Sequence, residues 1–287
     1  MFNLRYHVAS LAAVFLALVI GILVGLGLAG SGVTKEADLK LAREQRDSAN
    51  ALASARLSQI QALQKTQSAF AIAYPAVMKG LLTNKHIAVL FIGGVDGGTM
   101  QAIENTLLDA GAPLPVRVVA LNVPINAQSL DTTLLGKGPQ TTRYVGTDKL
   151  GALGSALAAE FEVGGKTPLW TLLGQQLIGE RTGTSGVRAD GVVVVRSAKA
   201  QQGDTARFLR GLYGGLAAGD IPAVAVEKSG TTPTTLDVLH DSGLSTVDDI
   251  DLATGRAALA FLLSGASPGQ YGTGSGVDAV LPQDPSG

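Results

Sequence analysis

From Tyr6 to Thr34 the chain carries no Asp, Glu, Lys or Arg, and the run from Val8 to Leu28 is apolar almost throughout. Crossing a hydrocarbon core of about 30 Å takes about 20 helical residues, whereas the apolar region of a secretory signal spans only about 7–15. The length predicts a retained transmembrane helix within residues 1–33. Cleavage after Gly27-Leu28-Ala29, a small-x-small triplet, is the alternative. Either reading takes the protein to a membrane, with lipid as its first partner. No later stretch repeats the pattern, so a single pass is expected.

Once the anchor is set aside, about 250 of the 287 residues remain, enough for one sizeable core and a spacer. A formal charge of -1 leaves no basic stripe to neutralise phosphates, which argues against nucleic acid. With no cysteine, neither a disulfide framework nor a thiolate metal site can form.

Residues 34–74 are rich in Ala, Gln, Lys, Arg, Glu and Leu, and no Gly or Pro falls between Thr34 and Ala73. Such composition favours helix. A heptad with one seam at Leu39, Arg46, Ala53, Ile60 and Gln67 and another at Ala42, Ala49, Arg56, Leu63 and Phe70 is mostly apolar, which predicts a coiled-coil stalk. Two arginines in the seam weaken it, and a solvated stalk or a helix folded back on the next domain fits the same composition. Within the apolar run, Gly21-Ile-Leu-Val-Gly25 is a GxxxG, in which Gly21 and Gly25 bare the backbone on one face for helix contact. Together the two features predict a homo-oligomer joined through the membrane helix and stalk. Pro75 is expected to end the stalk.

Residues 80–281 read as an α/β domain. Apolar runs at 87–92, 116–121, 191–196 and 222–226, with a shorter one at 143–145, predict strands. Helical patterns follow 93–98 and cover 150–161, 169–179, 205–218 and 252–263. Apolar strands separated by helices predict a Rossmann-like domain with a mainly parallel, helix-covered sheet. Residues 282–287 form a polar tail expected to be disordered.

The familiar chemical motifs are absent. Gly93-Gly-Val-Asp-Gly-Gly98 lies where a phosphate-binding turn would, but it lacks GxGxxG spacing, and Asp96 suits a helix start better than a pyrophosphate. Gly164-Gly-Lys-Thr167 resembles the end of a P-loop, yet position 160 is Glu and no apolar strand precedes it. Neither Ser185 nor Ser275 sits in GxSxG, and no nucleophile has a matching base, so the chain is not expected to be an enzyme. His7, His86 and His240 are widely spaced, and the three methionines form no MxxM cluster. Asp248, Asp249 and Asp251 lack the glycine and closing glutamate of a calcium loop; capping the helix that follows Asp251 explains that residue adequately. No cofactor is identified.

Several words in the chain, taken together, are specific. They are Leu4-Arg-Tyr-His7, the apolar Ser10 to Leu18, the run Ser245, Thr246, Val247, Asp248, Asp249, Ile250, Asp251, then Gly255-Arg256, and finally Gln270, Tyr271, Gly272, Thr273, Gly274. In this order they resemble the actinobacterial MctB-type copper transport proteins over nearly the whole chain. The resemblance implies an envelope protein concerned with copper efflux and homeostasis, described for the family as an outer-membrane, channel-like component, with copper ion as transported ligand. It also implies an extracytoplasmic carboxy-terminal domain and an envelope protein partner. The flanking charges, Arg5 on one side and Lys35, Lys40, Arg43 and Arg46 on the other, favour the reverse orientation. One apolar helix encloses no pore, and serial strands of about 10 alternating residues, as in an outer-membrane barrel, are missing. A membrane-tethered structural or partner-binding module without transport activity is the alternative reading.

Overall fold

A computed structural model describes residues 4–30, 32–184 and 186–283. Ser185 and residues 284–287 of the tail lie outside the described residues. The chain divides into two units, Met1–Thr66 and Gln67–Gly287.

In the first unit, α1 spans Leu4–Gly30, and α2 (Gly32–Met78) begins there. Side chains of α1 are described over 13–27, about 22 Å of helix at 1.5 Å per residue. Among the described residues no helix is long and apolar enough to cross a membrane.

The second unit opens with the last turns of α2. The expected stop at Pro75 is not where the helix ends, because Tyr74 and Met78 on either side of it are buried. Tyr74 donates its hydroxyl to Asp109 at 2.9 Å, and the Arg256 guanidinium lies 5.1 Å from its ring centre. Burying such side chains contributes about 1.5–3 kcal/mol each, enough to offset the cost of about 3 kcal/mol for an interior proline.

Beyond α2 come β1 (Ile87–Ile92), α3 (Gly97–Asp109), β2 (Arg117–Leu121), α4 (Ala127–Leu135), α5 (Pro139–Thr142), α6 (Leu150–Val163), α7 (Pro168–Leu177), β3 (Ile178–Gly183) and β4 (Gly191–Arg196). The rest is α8 (Gly203–Ala217), β5 (Ala223–Val226), α9 (Leu236–His240), β6 (Ser245–Val247), α10 (Ala253–Ser264) and β7 (Gln270–Tyr271). The seven strands form one sheet in the order β3-β2-β1-β4-β5-β6-β7. All pairs are parallel except β2 with β3. This is a mixed α/β architecture wound outward in both directions from β1 and β4, with the topological switch between them.

Alternation within the strands builds two cores. Ala88, Leu90, Ile92, Val192 and Val194 face α4, α6, α7, α8 and α9, whereas Ile87, Val89, Phe91, Val193 and Val195 face α3, α10 and the end of α2. Strands covered on both sides become continuous apolar runs, which is why β1 and β4 fall at the predicted residues.

Residues 143–145, expected as a strand, instead leave α5 in a turn. Tyr144 N and Val145 N donate to Thr141 O and Thr142 O, and Pro139 at the first turn preorganises the helix before them. The helix expected over 169–179 stops at Leu177, where the chain enters β3 along the sheet edge.

Candidate functional site

Open α/β sheets take ligands beyond the carboxyl ends of their strands, usually at the switch point. Here the loops after β1 and β4 pack closely against each other, leaving a space of about 200 Å³ on the β2 side, lined by Gly93, Gly94 and Asn122. A Cβ on Gly93 (φ 104) would meet Ala198, and Ser197 Oγ donates to Gly94 O at 2.5 Å. The α3 amino terminus is occupied too: Asp96 Oδ1 accepts from Thr99 N at 2.7 Å and pairs with Lys228 Nζ at 2.7 Å. Lys228 and the Thr99 bonds hold the Asp96 carboxyl down at about 2. Asp96 is thus the helix cap expected of it. The glycine pair before α7 is arranged likewise, since the Glu160 carboxylate accepts from Leu169 N and Trp170 N. In both places a protein carboxylate sits where a phosphate would bind.

A second space lies along the same edge, at β5, β6 and β7, and there the signature residues converge. Ser245, Thr246 and Val247 are β6 itself, paired with β5 through Val224↔Ser245 and with β7 through Thr246↔Gln270. Ser245 Oγ accepts from Gly269 N at 3.4 Å, and Val247 lies in the core beneath α10. Asp248 follows the strand, and its carboxylate accepts from Thr273 N at 2.9 Å and Gly274 N at 2.8 Å. It clasps the loop after β7. Gly272, at φ 138, packs against that carboxylate so closely that a Cβ would overlap Asp248 Oδ1. Tyr271 is buried, and its hydroxyl donates to Ser267 O at 3.0 Å.

The other two aspartates work away from the clasp. Asp249 is fully buried, with Oδ2 accepting from Thr254 Oγ1 at 2.8 Å and Oδ1 buried without a partner among the described residues. Burial raises its carboxyl to about 6, against the lowering effect of the Thr254 bond. Gly255 is bare because a Cβ there would overlap the Asp249 carbonyl and carboxylate. Asp251 is not the cap of α10, whose first flanking residue is Leu252 with no side-chain cap. Its two oxygens accept from Ser229 N and Ser229 Oγ, each at 2.6 Å, so it ties the loop after β5 to the loop after β6.

One further acid lies at this edge. Glu227, 8 % exposed at the end of β5, accepts from Thr234 Oγ1 at 2.6 Å and Thr235 N at 3.0 Å. In the sequence its one signal is a Glu-Lys pair directly after the apolar strand Pro222–Val226, too common a pattern to mark a site. Glu227, Thr234, Thr246, Asp248, Gln270 and Gly274 are among the residues around a cleft of about 250 Å³.

Among the described residues no group of three or more His, Asp or Glu side chains is placed to hold a metal ion. His86 sits at the amino edge of β1, where its Nδ1 lies 3.2 Å from Asp190 Oδ2, and His240 ends α9. The side chain of His7 lies outside the described residues. Gly21 and Gly25 lie in α1, far in sequence from the signature, with nothing within 4 Å of an added Cβ.

A doubly wound α/β domain preceded by two long helices, its carboxyl edge braced by an aspartate-rich signature, defines the class of protein. The family described as Copper transport outer membrane protein, MctB, matches residues 1–282, and the chain belongs to it. It is therefore a copper-transport-related envelope protein. No curated protein and no solved structure matches the chain.

Proposed function

We propose that this chain is a non-enzymatic, membrane-anchored envelope protein that acts in copper efflux and copper homeostasis, with copper ion as cargo rather than resident cofactor. The observation that carries the reading is the family match over residues 1–282. Anchoring is supported by α1, in which Val14, Leu18, Ile22 and Leu26 are all more than half exposed. The sequence continues this apolar surface from Val8 to Leu28, a run long enough for one pass. In this reading the α/β domain is extracytoplasmic, and a coiled-coil stalk and the Gly21 and Gly25 face join copies of the chain. Because the described residues offer no metal-ligand group, copper passes through an oligomer or an envelope partner that supplies soft ligands.

The cleft beyond β5, β6 and β7 favours a second reading, a tethered ligand- or partner-binding module without transport activity. The two part on copper release. Cells lacking the protein are loaded with copper, transferred to copper-free medium, and compared with the complemented strain. Slower release that complementation restores is expected for efflux; equal release rates overturn it and leave the tethered module.

A further inference from the structure

The cleft has two properties that bear on what it could hold. The first is its charge. Glu227, Asp237 and Asp248 border the space, the first and last also bracing its loops, and among the described residues no Lys, Arg or His lines it. Lys228, the neighbour of Glu227, is drawn off to Asp96 at 2.7 Å. Acids facing a partly desolvated space without a cation create a focused negative potential. Such a potential repels phosphates and carboxylates and favours a positive ligand.

The second is an idle hydroxyl. Strand side chains alternate, and Val247 lies in the core under α10, so Thr246 points to the opposite face, where Leu236 of α9 and the cleft lie. Thr246 is 2 % exposed and borders the cleft, and its hydroxyl, which bonds to no other described residue, opens onto that space instead of being sealed in the core. A hydroxyl held on a buried strand and open to a cavity is free to bond with water or with a ligand atom. The Gln270 side-chain amide beside it is also without a bond among the described residues, its backbone N–H alone being held by Asp278.

We propose that this cleft binds a small organic cation, a protonated amine on a hydroxylated frame, with the ammonium toward Glu227, Asp237 and Asp248 and the hydroxyls meeting Thr246 and Gln270. An organic cation fits better than a metal ion, because no three of the acids among the described residues converge as ligands. At about 250 Å³ the cleft lies just under the size range of small-molecule pockets, which limits the ligand to roughly one sugar ring. This site is independent of the copper reading.

The test uses the full chain in detergent micelles with EDTA present, titrated calorimetrically with glucosamine, its neutral counterpart N-acetylglucosamine, ethanolamine and putrescine. Glucosamine is expected to bind, and N-acetylglucosamine roughly tenfold or more weakly, as loss of a charge-assisted bond implies. Thr246→Val and the exposed-site Asp237→Asn should each weaken glucosamine by about tenfold while leaving the ligand-free melting temperature near that of the parent. Asp237→Asn tests the site even if Thr246→Val fails to fold. Failure of all three amines to bind, equal binding of the charged and neutral sugars, or glucosamine binding unchanged in Asp237→Asn would overturn the proposal.

Discussion

Asp249 and Glu162 are carboxyls taken out of water with an oxygen left unbonded among the described residues. Burial raises Asp249 from 3.8 to about 6 and, with Asp220 nearby, Glu162 from 4.5 to about 7. The native state therefore holds these protons more tightly than the unfolded chain. The stability tied to Asp249 is complete below 3.8 and lost as pH rises through about 6; that tied to Glu162 is complete below 4.5 and lost through about 7. Asp96 works in the opposite sense: its stabilisation by Lys228 is present above 3.8 and lost as pH falls toward about 2. Being half in water, it contributes little. The melting temperature should thus fall as pH rises from about 4 to about 7. Asp249→Asn should flatten the lower part of that curve and Glu162→Gln the upper part. Curves parallel to that of the parent would show that neither proton is held by the fold.

Helices α6 and α8 touch backbone to backbone. A Cβ on Gly211 would overlap the carbonyl of Gly151, and one on Gly154 would overlap the carbonyl of Phe208, whereas Gly214 of the same α8 faces open space. Alanine is the better helix former by about 1 kcal/mol, so Gly214→Ala should stabilise by up to that amount. Gly211→Ala should instead destabilise by about 1–3 kcal/mol through overpacking. Denaturant titration of both variants checks the contrast, and equal shifts of the same sign would refute the close crossing. Elements of this kind were unevenly legible in the sequence. The strands β1 and β4 could be read because burial on both faces leaves an uninterrupted apolar run. Edge strand β3 could not, since Glu180, Arg181 and Thr182 lie exposed along it, and β6 and β7 are too short for any period to register. The helix through Pro75 was hidden because tertiary packing outweighs local propensity there. At the site, the aspartates stood out as a word. What they do did not, because Ser229, Thr273 and Gly274 meet them only through the fold, and Glu227 was marked by nothing more than the Glu-Lys pair that follows its strand.

The whole molecule consists of an apolar helix, a long polar helix and a braced α/β domain, and it belongs to the copper transport family. If copies meet through the GxxxG face, replacing Gly21 and Gly25 together with Ile should sharply reduce crosslinked oligomers in membranes, because branched side chains hold the backbones apart. Unchanged crosslinking would remove that face from the assembly. The most direct test of the copper role is total cell-associated copper, measured with growth under copper stress, in a deletion strain and in the same strain carrying the full chain. The deletion strain is expected to accumulate copper and become copper-sensitive, and the full chain to reverse both. Copper content and sensitivity indistinguishable between the two strains would contradict it.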